Sequence, residues 1–148
     1  MKKYIILCLI VLLSSCGKPD LSPREINQKT DKCKVCNMMI DHPEQAAQIV
    51  YMNEDHYIFD DIGCLIEQYK QENKKEIGMM YVKDYKKNKW IDAKKAYYVY
   101  HKKTWTPMNY GVAAFKDKEA RDQYAKQHNN SKKMQFNDLQ NFKWGIEQ

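Results

Sequence analysis

The sequence lacks the short motifs that mark most nucleotide-dependent and hydrolytic enzymes. It contains no Gly-rich phosphate loop, no Gly-x-Ser-x-Gly elbow and no His-Glu-x-x-His zinc motif. The adjacent carboxylates Asp60 and Asp61 form a possible acid-base pair, yet an N-cap role explains Asp61 without any chemistry. We therefore predict that the chain is not an enzyme.

Concentrated positive charge is also absent. The formal net charge is +6, but lysines and acidic residues are interspersed and no block of five or more basic residues occurs. Nucleic-acid-binding proteins usually cluster their basic residues on one face or in one segment. The sequence therefore gives no indication of a nucleic-acid partner.

Long apolar runs are scarce, and the one at residues 5–13 is too short to span a bilayer as a helix. It follows Lys2 and Lys3 and precedes two small serines, which is typical of a signal peptide over residues 1–15. The four residues ending in Cys16 resemble the bacterial lipobox, whose cysteine is acylated with palmitate and becomes the first mature residue. We expect an extracytoplasmic lipoprotein anchored to the membrane through Cys16, on the periplasmic side in a diderm bacterium.

Cleavage and acylation leave three free cysteines, Cys33, Cys36 and Cys64. An odd number excludes complete disulfide pairing within one chain, even in an oxidising compartment. Cys64 falls in the first turn of a predicted helix, beside apolar residues, and its position favours a buried structural role.

Residues 33–40 combine two thiols and a thioether, because Met38 follows the Cys33-x-x-Cys36 pair. Thiolate and thioether sulfur select soft ions such as Cu(I). Cys36 and Met38 are one residue apart, so an extended segment would direct both side chains to the same side. Met108, in a loop bounded by Pro107 and Gly111, is a further candidate ligand.

Other functions of the cysteines stay open. Cys33 and Cys36 suit a disulfide staple in a structural lipoprotein, with Met38 as core filler, or a thiol-disulfide exchange site. The pair precedes a predicted hairpin and does not open a helix, so we expect no lowered thiol pKa. A zinc site that adds Cys64 and His42 is also possible, although the spacing matches no common zinc module.

The pattern of the first half predicts a hairpin, a helix and a third strand. Residues 46–52 alternate, residues 53–55 supply a turn, and residues 56–60 form the second strand. Asp61 is the predicted N-cap of a helix whose apolar residues recur at helical spacing until about residue 73. Residues 79–84 complete the unit as a strand.

The second half repeats this order, and a Phe-x-Asp step ends a strand and caps a helix in both halves. Strands are predicted at 97–101, 111–115 and 133–136, with a helix at 118–127 and a final helical turn. The fold class is thus α+β, with two tandem strand-strand-helix-strand units over residues 31–88 and 89–148. Residues 16–30 carry two prolines and no apolar period, which predicts a flexible tether.

Several motifs in this order resemble the NosL family of copper-binding lipoproteins. They are the lipobox, Cys-x-x-Cys-x-Met-x-Ile, and the segments at residues 46–49, 57–64, 90–93, 107–108 and 114–115. The resemblance implies a fold similar to the organomercurial lyase core and Cu(I) bound by Cys36, Met38 and Met108, with Cys33 as a further candidate. It also implies delivery of copper to apo nitrous oxide reductase in denitrification. The family usually has glycine where this chain has Asn109.

Overall fold

The computed structural model describes residues 17–143. The predicted signal peptide and the lipidation site Cys16 lie outside these residues. Within the described part, no helix combines the length and apolarity needed to cross a membrane.

The described chain forms strands and helices in an order close to the prediction. The strands are β1 (Ala47–Tyr51), β2 (His56–Phe59), β3 (Ile77–Lys83), β4 (Trp90–Asp92), β5 (Tyr97–Tyr100), β6 (Val112–Phe115) and β7 (Lys132–Gln135), and the helices are α1 (Ile62–Gln71), α2 (Lys118–Gln127) and α3 (Phe136–Asn141). The short strand β4 is the one strand that the sequence pattern did not predict.

The first sheet has the antiparallel order β2-β1-β3-β4. Every residue of β1 is buried, which fits a central strand covered on both faces. Helix α1 packs on β1 and β2 with five buried residues at its start. Asp61 begins the helix as predicted, because its side chain accepts a hydrogen bond from the Gly63 backbone N–H.

The second sheet has the antiparallel order β6-β5-β7, which repeats the order β2-β1-β3 of the first sheet without a counterpart of β4. In both sheets the first strand of the unit lies in the middle, and a helix follows the second strand. The sheets meet where the end of β3 approaches β6, through a bridge between Asp84 and Ala114. The predicted α+β class with two strand-strand-helix-strand units is confirmed.

The segment that was predicted to be a flexible tether instead packs along the first sheet and covers part of it. We call it the covering segment. The Tyr81 hydroxyl donates to the Leu21 carbonyl, and Arg24 exchanges two backbone hydrogen bonds with the buried Gln48 side chain. A bidentate ion pair between Arg24 and Asp31 fixes its end. Polar contacts of this kind leave no apolar period in the sequence, so composition alone predicted free chain.

Candidate metal centre

The cysteine pair lies on a tight loop that precedes the first sheet. An antiparallel bridge between Lys32 and Met39 closes its base, and the Cys33 N–H donates to the Met38 carbonyl at 2.8 Å. Asn37 adopts a left-handed φ of 61°, a conformation that asparagine tolerates better than most residues. The expected extended segment is therefore wrong, because these bonds fold residues 33–38 into a turn.

The first unit of the fold brings two more ligand groups to this loop. Asp60 follows the end of β2, and Cys64 lies in the first turn of α1. The Lys34 N–H donates to the Ile58 carbonyl at 2.9 Å and so fixes the loop to β2. As a result, four ligand atoms lie within 4.8 Å of one another, and they come from Cys33, Cys36, Asp60 and Cys64.

Three members of this cluster are shielded from solvent. Cys33 is 1% exposed, Cys64 is 0% exposed and Asp60 is 2% exposed, whereas Cys36 is half-buried. The Cys36 thiol donates to Asp60 Oδ2 at 3.3 Å, and Asp60 Oδ1 has no hydrogen-bond partner in residues 17–143. A buried carboxylate oxygen without a partner is costly, and a nearby cation would offset that cost.

The thiols share hydrogen bonds, so their pKa values move in opposite directions. The hydrogen bond with Cys64 lowers the pKa of Cys33 to about 6 against the effect of burial, and the backbone N–H groups of Cys36, Asp60 and Val35 assist. Burial raises the pKa of Cys36 to about 12, with Cys33 and Asp60 acting in the same sense. The pKa of Cys64 is raised first by Cys33 and second by burial. Cys33 is therefore the thiol of the cluster whose ionisation is favoured, whereas ionisation of Cys36 and Cys64 is disfavoured.

The lowered pKa of Cys33 corrects the expectation that the cysteine pair lacks a lowered thiol pKa. The lowering at Cys33 comes from Cys64 and from backbone N–H groups, and a helix N-terminus is not its first cause. Cys33 is nevertheless buried, which hinders attack on a protein disulfide. The three cysteines of the described chain are free thiols.

The second unit contributes a loop over residues 101–111 that contacts the cap of α1. Asp61 Oδ2 accepts from the Met108 backbone N–H at 3.3 Å, and the Thr106 hydroxyl also hydrogen-bonds to Asp61. The half-buried Met108 packs against the main core, as Cys36 does. Asn109 adopts a φ of 59°, a left-handed conformation that asparagine tolerates better than most residues.

Of the predicted ligands, Cys33 and Cys36 belong to the cluster. The two predicted methionines differ in solvent exposure, because Met108 is half-buried whereas Met38 is exposed. Met38 is 47% exposed on the cysteine loop. His42 is absent from the cluster, because its ring pairs with Glu44 at 3.0 Å and contacts the exposed Trp105 ring edge-on. The alternative zinc site that would add His42 is therefore not found, because the cluster does not include this residue.

The sequence predicts Cys64 as a metal ligand only in the alternative zinc site, and Asp60 only as a possible acid-base partner of Asp61. Cys64 is buried as predicted, and its sulfur also joins the cluster. The positions of Asp60 and Cys64 on either side of the Asp61 cap could have indicated that they lie close together. A helix that starts directly after a strand brings the side chains at this junction to the same end of the sheet.

Comparison with known proteins agrees with this architecture. The crystal structure of the copper chaperone NosL from Shewanella denitrificans has a similar fold, with a TM-score of 0.69 and 18% sequence identity. The match covers 80% of this chain and 96% of that chain. No curated protein matches the sequence. At such low identity the structural likeness shows the fold alone.

The family comparison covers the parts of the chain that build the cluster. The family model for NosL matches residues 23–143, which include the cysteine loop, both sheets and the Met108 loop. The resemblance found in the sequence motifs is thereby confirmed, and the chain belongs to the NosL family.

Proposed function

We propose that this protein is a Cu(I) metallochaperone that is anchored to the membrane through an acylated Cys16. The half-buried Cys36 supports this most directly, because it shares one cluster with the buried Cys33 and Cys64 and lies two positions from the exposed Met38. A soft ion bound by Cys36 would combine buried thiols with a ligand next to solvent. A carrier needs such a site, since it must hold its ion and also release it.

The ligands that we propose for transfer are Cys36, Met38 and Met108, with Cys33 as a further ligand. Thioethers bind Cu(I) without a charge, so they are weaker and more labile than thiolates. Met38 lies on the exposed loop, and Met108 lies on the loop of the second unit that contacts Asp61. An incoming ligand of the acceptor can replace these thioethers one at a time.

The acceptor that we propose is apo nitrous oxide reductase, whose copper-sulfide centre needs copper ions during assembly. The support is the NosL family of the chain and the fold shared with a copper chaperone. Membership of this family agrees with the prediction that the chain is not an enzyme. The carrier itself performs no redox step, because Cu(I) enters and leaves in one oxidation state.

The experiment uses the full chain in detergent, with Cys8 and Cys16 replaced by serine so that three thiols remain. Cu(I) is titrated under reducing, oxygen-free conditions against a competing chelator. We expect one tightly bound ion per chain, and we expect Cys36→Ser to weaken binding by more than about 100-fold, the upper cost of losing an outer-shell partner. Met52→Leu is the matched control, because Met52 is 49% exposed in the turn after β1 and should leave affinity unchanged.

Handover is measured with the copper-loaded chain and the apo reductase. Met108→Leu should slow copper transfer, whereas Met52→Leu should not. The apo form of an unrelated copper enzyme should receive no copper. Absence of Cu(I) binding in the starting chain would reject the carrier function. Binding without transfer to the reductase would reject that acceptor and leave the carrier function in place.

A further inference from the structure

Two groups in the buried cluster have no part in the transfer ligands. Cys64 is fully buried and belongs to α1, 31 positions after Cys33 in the sequence. Asp60 is 2% exposed, and its Oδ1 has no partner among the described residues. A thiol and an unpartnered carboxylate oxygen at the same buried point indicate a place for a cation.

The spacing of the sulfur atoms fits one ion bound by all three cysteines. A d10 ion with metal-sulfur bonds of about 2.3 Å places three sulfurs in a plane about 4 Å apart. The ligand atoms of Cys33, Cys36 and Cys64 all lie within 4.8 Å of one another. An ion at their centre therefore needs only small side-chain shifts.

The backbone around the sulfurs is arranged to stabilise thiolates. The backbone N–H groups of Cys36, Asp60 and Val35 act to lower the pKa of Cys33, and the Met38 N–H acts to lower the pKa of Cys36. Hydrogen bonds to an ionised acceptor are about twice as strong as neutral ones. The loop thus provides fixed donors for two of the three sulfurs of a bound complex.

We propose that Cu(I) rests on the three thiolates of Cys33, Cys36 and Cys64 and moves to the transfer ligands Met38 and Met108 only on handover. This inference rests on the proposed function, and Cys36, together with the further ligand Cys33, is common to both positions. Loading forms three Cu–S bonds and releases the thiol protons to solvent, with no change in oxidation state. Handover breaks the bond to Cys64, which takes a proton back from solvent, while the thioethers of Met38 and Met108 bind in its place.

Selenomethionine labelling separates the two positions in one spectrum. All eight methionines of the chain become labelled, so any thioether on the ion gives a copper-selenium distance in X-ray absorption. The sample is the full chain with Cys8→Ser and Cys16→Ser, loaded with one equivalent of Cu(I) without oxygen. We expect three sulfur neighbours and no selenium neighbour.

Two variants test the assignment further. Cys64→Ser should move the ion to the transfer ligands, so that a selenium neighbour appears while one ion still binds. The double variant Met38→Leu/Met108→Leu should keep the three-sulfur shell of the parent chain. Thermal unfolding of Cys64→Ser shows whether the chain still folds with a buried serine. If it does not fold, the presence or absence of a selenium neighbour in the parent chain tests the assignment by itself.

The outcomes distinguish this inference from the carrier function. A selenium neighbour in the parent chain, or an unchanged spectrum in a folded Cys64→Ser, overturns the three-thiolate resting position. The carrier function survives either result, because an ion is still bound. Failure of the parent chain to bind Cu(I) overturns both.

Discussion

The two units share one topology but differ at the start of their helices. After Phe59 the first unit has Asp60 and, four positions later, Cys64, whereas after Phe115 the second unit has Lys116 and Ala120 at the matching places. A lysine and an alanine supply no metal ligand there. The comparison teaches that the scaffold is common and that the candidate metal cluster depends on two side chains and one preceding loop.

The units also differ in how their helices are buried. Five residues at the start of α1 are buried, whereas α2 buries only Arg121 and Tyr124. The second unit has its own small core around Phe115 and Tyr124, while α1 belongs to the main core. Asp60 and Cys64 of the candidate metal cluster therefore lie at the more deeply buried of the two helix starts.

The largest stability effect is expected at Gly63, where α1 meets the second unit. A Cβ built on Gly63 would lie 2.2 Å from the Tyr110 ring, and the Tyr110 hydroxyl is bonded to Glu67 of the same helix. Gly63→Ala should therefore lower the free energy of unfolding by about 1 to 3 kcal/mol, measured by urea denaturation.

The matching residue of α2 provides the control for this substitution. Glu119 is exposed in the first turn of α2, so Glu119→Ala should cost about 0.5 kcal/mol or less. Equal effects of the two substitutions would contradict the difference in burial between the helix starts.

A smaller difference in stability is expected between substitutions of the two helix N-caps, Asp61 of α1 and Asp117 of α2. The Asp61 side chain accepts from Gly63 and Met108, whereas Asp117 makes no cap hydrogen bond and is paired with Lys87 at the surface. Asp61→Ala should cost about 1 to 2 kcal/mol in urea denaturation. Asp117→Ala should cost a few tenths of that, about 0.3 kcal/mol, and a reversed order would reject the assignment of Asp61 as the structural cap.

The smallest effect concerns the covering segment, which lies only on the first sheet. The Arg24 guanidinium lowers the pKa of the Asp31 carboxyl, first through their hydrogen bonds. A lowered folded-state pKa gives stability above the unfolded value of about 4 and loses it as the pH falls through the folded value.

This ion pair can be removed without touching the core. Arg24→Ala should therefore cost about 0.5 to 1 kcal/mol at pH 7 and almost nothing near pH 2, measured by urea denaturation at both pH values. Lys87→Ala removes the exposed pair with Asp117 and serves as the control. An equal loss at both pH values would show that Arg24 acts through packing alone.

The features predicted correctly from the sequence are those that depend on residues close together in the chain. The Asp61 cap, the apolar spacing of α1 and the repeated strand order depend on residues near one another in the chain, and all are found. The end of α1 at Gln71 differs by two positions from the expected one. Such ends fray and have weak sequence signals.

The remaining parts depend on contacts between distant residues. Nothing near Cys64 in the sequence indicates that the cysteine loop will fold against it, because that contact needs the Lys34 bond to β2. The covering segment is likewise held by Gln48 and Tyr81, which are distant in sequence. The strand β4 is three residues long and is defined by its pairing with β3.

The contact of the covering segment with the first sheet sets the reach of an anchored domain. Its first hydrogen bond joins Asp20 to Glu54, in the turn between β1 and β2. A lipid on Cys16 would then hold the domain by only three free residues, a leash of about 10 Å instead of about 50 Å for fifteen. Asp60 lies at the opposite end of β2 from that turn. The end of the domain with the proposed copper site would therefore face away from the bilayer, toward the proposed acceptor on the aqueous side.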